Sequence, residues 1–125
     1  VLAPNDNNAA SIIAILDKNG LTVPVSGQDA SIAGLQNVLL GKQFATVYKP
    51  FTIEAEAGAA MAISILKGEV PATNKTLADG TPFLALDPIS VGADQVKDVV
   101  AAGDASVEDL CTADVAAACA EYGIN

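Results

Sequence analysis

Three times within its first 68 residues, the chain runs a short apolar stretch into a polar turn and then into a segment with helical spacing. This repeat restricts the fold more than any other feature. Val1–Ala3 leads into Pro4-Asn5-Asp6, and Ile12, Ile13, Ile15 and Leu16 then follow at helical intervals as far as Gly20. Residues 5–7 offer caps for that helix. Val23–Ser26 leads into Gly27-Gln28-Asp29, with Ile32, Leu35, Val38 and Leu39 on the next apolar face and Gly41 as its stop. Phe44–Tyr48 leads into Lys49-Pro50, after which Thr52 opens an Ala-rich helix to about Lys67, closed by Gly68. Successive strand–helix units require a parallel sheet, because each crossover returns the chain to the same edge. The expected fold is α/β, an open parallel sheet with helices on both faces.

The pattern then changes. Residues 69–82 are polar and rich in turn formers, and read as a surface loop. The stretch FLALDPISV gives two short strand pieces broken at Asp87-Pro88. Gln95–Ala101 and Thr112–Tyr122 read as short helices. The longest apolar runs fall well short of the roughly 18–20 residues of a membrane span, so no membrane insertion is expected. The chain starts inside a strand and without an initiator Met, which leads us to expect a piece of a longer protein.

Charge removes several functions. The net charge is −9, with six Lys, no Arg and no His. Nucleic acid is not an expected partner, since phosphate contacts need basic side chains. Without His, the commonest general base and metal ligand is missing. No cofactor is expected, and no enzyme chemistry.

Cys111 and Cys119 are eight residues apart, about 12 Å along a straight helix. A disulfide needs Cα atoms within about 7 Å, so bonding requires a bend between them. A helix capped by Thr112 would leave Cys111 outside and able to fold back. The other reading is a pair of buried thiols.

In open parallel sheets, ligands bind beyond the carboxyl ends of the strands. The residues leaving the three strands are Asn5 with Asp6, Asp29, and Lys49. Each has a plainer reading: Asn5, Asp6 and Asp29 as helix caps, and Lys49 as a solvated charge. Their shared topological place argues for a site. An amide, a carboxylate and an ammonium suit a neutral polyhydroxylated ligand, because they mix donors and acceptors. A phosphate fits poorly, for want of a Gly-rich loop or Arg.

The segments VLAPNDNNAASIIAIL, VPVSGQDASIAGLQNVLLGKQFATVYKP and AEAGAAMAISILKGE, in that order and spacing, resemble the periplasmic sugar-binding proteins of bacterial ABC importers. The type I fold and the xylose-binding branch are the nearest likeness, over about residues 1–100. The resemblance implies two lobes that close on a monosaccharide and then dock on permease subunits. It implies Asn5, Asp29 and Lys49 as sugar contacts and an exported, periplasmic or lipid-anchored protein. It also implies incomplete lobes. Residues 1–50 would belong to the C-terminal lobe, 51–86 to the other lobe, and 87–125 to a return segment and helical tail. Hinge crossings would fall near 49–52 and 84–91. The apolar faces left over would pair with the missing N-terminal part of the protein or with a second copy of this chain. A sugar-sensing domain of a transcriptional regulator is the alternative on the same fold. An exported protein would favour the Cys111–Cys119 bond.

Overall fold

The computed structural model describes all of residues 1–125. In chain order the elements are α1 (Asp6–Lys18), α2 (Ile32–Leu39), β1 (Thr46–Tyr48), α3 (Phe51–Leu66), β2 (Lys75–Thr76) and β3 (Pro82–Phe83). Then come β4 (Ile89–Val91), a 3-10 turn at Ala93–Gln95, α4 (Val96–Ala101), α5 (Val107–Leu110) and α6 (Ala116–Glu121). They form two compact units, Val1–Tyr48 with Ile89–Asn125, and Lys49–Pro88.

In the first unit, extended segments at residues 1–3, 25–28 and 45–48 lie side by side. Ser26 N–H donates to Val1 O (3.0 Å), Gly27 N–H to Ala45 O (2.9 Å) and Asp29 N–H to Val47 O (2.9 Å). The bridge from Ser26 to Ala45 is parallel. The open, helix-flanked α/β sheet is therefore present, but two expectations need correction. Residues 1–3 and 23–26 form no regular strand; Pro24 lacks the N–H that would extend the ladder. The sheet is also not wholly parallel, since β4 joins β1 antiparallel, with Val47 opposite Ser90.

Side-chain caps set the starts of α1 and α2. Asn5 Oδ1 accepts the Asn8 N–H (2.9 Å) at the head of α1, where an acidic Asp6 also suits the helix dipole. The cap of α2 is Ser31, whose Oγ accepts the Gly34 N–H (3.1 Å), and not the expected Asp29. The reason is backbone: Asp29 and Ala30 both have positive φ, 102° and 48°, which delays the helix by two residues.

The core lies in this unit. Leu35, Val38 and Leu39 of α2 pack with Tyr48, Val91, Val96, Val99, Leu110, Val115 and Cys119. A smaller cluster joins Ala9 and Ile13 of α1 to Ala3 and Val25. The tail is stapled by a Cys111–Cys119 disulfide, with Cα atoms 5.9 Å apart. Here α6 begins at Ala116, not Thr112; the Thr112 carbonyl instead accepts from Val115 and Ala116 N–H (both 2.8 Å), making the bend that brings the sulfurs together.

The second unit contains α3 and, within the expected 69–82 loop, a β2–β3 hairpin. Asn74 closes the hairpin, donating from Nδ2 to Ala85 O (2.9 Å) and accepting the Ala85 N–H at Oδ1 (2.8 Å). No residue of Lys49–Pro88 is buried. No helix of the chain is long and apolar enough to cross a membrane.

Candidate functional site

At the carboxyl end of the extended segments, one buried carboxylate gathers the chain. Asp6 is 2% exposed. Its Oδ2 accepts from Ser31 N–H (2.8 Å) and Ser31 Oγ (3.1 Å). Its Oδ1 accepts from Gln43 Nε2 (2.9 Å) and Thr46 Oγ1 (2.8 Å). Four donors satisfy a group whose burial would otherwise cost several kcal/mol. The backbone N–H of Asp6 adds a bond to Gln28 O (2.9 Å).

Two glycines make room for this carboxylate. A Cβ on Gly27 would stand 2.2 Å from Asp6 Oδ1, and one on Gly34 would stand 2.0 Å from Asp6 Oδ2. Gly27 in SGQD is thus required by close approach, not by turn geometry.

The Asp6–Gln28 backbone bond brings together two of the three residues singled out from sequence. Asn5 precedes one partner and Asp29 follows the other. Asn5 spends Oδ1 on its helix cap, and its Nδ2 is the group on that side chain able to donate to a ligand. Asp29 is exposed, and its positive φ is uncommon for a residue with a side chain. Non-glycine residues in such conformations cost about 1–3 kcal/mol each and cluster at functional sites. The turn is held amide by amide: Asp29 N–H to Val47 O, Ala30 N–H to Thr46 Oγ1 (3.1 Å) and Ser31 N–H to Asp6.

Lys49 follows Tyr48 in the chain and opens the second unit. There it lines a shallow cleft of about 240 Å³ between Lys49–Glu54 and Leu86–Pro88. Glu54, Asp87, Ile53 and Leu86 line it with Lys49.

In the first unit, Tyr48 is buried, and its hydroxyl donates to the Asp104 carboxylate. Burial, then the hydrogen bond and negative charge of Asp104, push the Tyr48 hydroxyl up to about 12. No three His, Cys, Asp or Glu side chains are grouped to hold a metal ion.

Asp6 as a buried hub, with Gln43, Thr46 and Ser31 as its donors, is not legible in the sequence. Asp6 stood there only beside Asn5, as a cap or strand-end residue. The available signal was weak: two small residues, Gly27 and Gly34, flanking the turn at Asp29.

No protein-family model matches the chain. It is 39% identical over 105 residues to the D-xylose-binding periplasmic protein of Escherichia coli (strain K12), covering 80% of this chain and 32% of that protein. It is 37% identical, over the same shares, to the D-xylose-binding periplasmic protein of Haemophilus influenzae. The chain thus spans about a third of the length of the relatives it matches. Among solved structures it is similar to a carbohydrate transporter solute-binding protein from Chloroflexus aurantiacus in complex with D-glucose. That match has a TM-score of 0.79 at 28% identity and covers 86% of this chain and 34% of that one. An ABC transporter solute-binding protein from Clostridium phytofermentans with bound β-D-glucose gives 0.75 at 26% identity, with 85% and 35% covered. The chain carries part of a type I periplasmic sugar-binding-protein fold.

Proposed function

We propose that this chain is a portion of the sugar-binding component of an ABC importer. It binds a pyranose-type monosaccharide, xylose or a close relative such as glucose, and performs no catalysis. Asn5, Asp29 and Lys49 are its contacts: the carboxylate accepts from two adjacent hydroxyls, and the amide and ammonium donate to others. Hydrogen bonds to charged groups contribute roughly 1.5–3 kcal/mol each. The observation that carries this reading is Asp29, an exposed carboxylate held on strained backbone beside Asn5, where open α/β sheets bind ligands. The similarity to D-xylose-binding periplasmic proteins supports the sugar class.

The working protein is exported, periplasmic or anchored at the outer face of the cell membrane. Its further partners are permease subunits and the remaining part of a two-lobed protein, or a second copy of this chain. Sugar shifts the lobes toward a closed population because it touches both. A disulfide in the tail fits an oxidising compartment better than the cytoplasm of a transcriptional regulator.

The test is an NMR titration of the labelled chain with D-xylose and D-glucose, carried to high sugar concentration because a chain that lacks most of one lobe binds weakly. The amides of Asn5, Asp29 and Lys49 are expected to shift in a saturable way, and Asp29→Ala to weaken the response about tenfold or more. Absence of saturable shifts at all three positions with both sugars overturns the reading.

A further inference from the structure

The sugar contacts proposed above do not account for Asp6, the most heavily bonded side chain of the carboxyl end. Between its carboxylate and its backbone N–H, Asp6 is bonded to both ends of the turn that carries Asp29. The carboxylate is reached directly by Ser31 N–H at 2.8 Å. It is reached at one remove by Ala30, whose N–H donates to Thr46 Oγ1 (3.1 Å) while that hydroxyl donates to Asp6 Oδ1 (2.8 Å). On the near side, Asp6 N–H holds Gln28 O at 2.9 Å. Residues 28, 30 and 31 are therefore all tied to one residue, and the tied segment contains both positive-φ positions.

Two features argue that the arrangement serves the turn and not burial alone. The first is the void made for the carboxylate: a Cβ at either Gly27 or Gly34 would come within 2.3 Å of it. The second is direction. Every one of its four side-chain bonds is accepted, so an amide at position 6 would turn an N–H toward other donors. The charge-assisted bonds offset the cost of the left-handed backbone at Asp29 and Ala30, which no glycine relieves.

We propose that Asp6 is the positioning residue of the sugar end: its buried carboxylate holds the Asp29–Ala30 backbone left-handed and so sets the aim of the Asp29 carboxylate. Asp6 itself touches no sugar. The inference rests on the proposed sugar site for its consequence in binding, but its structural half stands apart and is measured separately.

The experiment uses the whole 125-residue chain, isotope-labelled, as wild type, Asp6→Asn, Thr46→Val, Thr46→Ser and Val99→Ala. Two quantities are read: the HN–Hα and HN–Cβ couplings, which together report the sign of φ at residues 29 and 30, and affinity for D-xylose and D-glucose. In Asp6→Asn the left-handed couplings are expected to be lost or averaged, with affinity down about tenfold or more, the order of one charge-assisted bond. Thr46→Val, which cuts the relay to Ala30, is expected to move both in the same direction. Thr46→Ser keeps the hydroxyl and is expected to match wild type. Val99→Ala loosens the core cluster on which Ala30 packs without touching the Asp6 bonds, and is expected to leave both readings unchanged while the chain is folded. Wild-type couplings and affinity in Asp6→Asn overturn the proposal. So does an equal change in Val99→Ala. If Asp6→Asn does not fold, the Thr46 pair decides in its place: wild-type couplings in Thr46→Val overturn the proposal. If wild type binds neither sugar, the functional reading fails, and the couplings still decide the role of Asp6.

Discussion

Gly34 shows how one residue can reverse an ordinary expectation. It lies inside α2, where glycine is about 1 kcal/mol worse than alanine on propensity alone. A Gly34→Ala substitution would therefore be chosen to stabilise the chain. The Cβ it adds would stand 2.0 Å from Asp6 Oδ2, where there is no room and a buried charge. The expected result is a loss of about 2–4 kcal/mol, from overpacking and a disturbed hydrogen-bond cluster. Gly41 is the reference: its φ is +68° with nothing near its Cβ position, so Gly41→Ala should cost only about 1 kcal/mol of backbone strain. Urea unfolding followed by far-UV circular dichroism orders the two. A Gly34→Ala variant as stable as its parent would show that Asp6 does not occupy that space.

Between elements, the contact with a measurable signature joins β1 to the α4–α5 connection, through the Tyr48 hydroxyl and Asp104. Folded Tyr48 holds its proton up to about pH 12, whereas an unfolded tyrosine releases it near 10. The folded state therefore binds more protons between those values, and stability must fall as pH rises through that window. Below pH 10 the contribution is complete. The total lost by pH 12 is on the order of 2 kcal/mol. Urea midpoints at pH 8 and at pH 11 test this: the parent should lose stability over that interval, and Tyr48→Phe should lose distinctly less. Equal slopes in the two proteins would remove Asp104 and burial as the cause. Within elements, by contrast, local chemistry is enough. The Asn5 cap and the positive-φ stops at Gly20, Gly41 and Gly68 all follow from neighbours a few residues away.

At the scale of the molecule, stability is unevenly shared. Both apolar clusters belong to residues 1–48 and 89–125, and the 49–88 unit has no buried residue despite the apolar side chains of Ile53, Ile63 and Leu66. Amide hydrogen exchange should be fast throughout α3 and slow in α2 and β1, since local opening is easiest where few apolar contacts are lost. Equal protection of α3 and α2 would mean that the apolar side of α3 is covered in solution. The alternation of short apolar runs with helical spacing determined the α/β class by itself, as the strand-end positions determined Asn5, Asp29 and Lys49 as candidates. Both are periodic or local signals, set by neighbours along the chain. Only the tertiary structure decided that β4 runs antiparallel to β1, that Ser31 and not Asp29 caps α2, and that Asp6 lies at the centre of the turn. Each of these depends on groups 25 to 45 residues apart meeting within hydrogen-bond reach, and the pattern along the chain carries no more of such a meeting than the small residues Gly27 and Gly34.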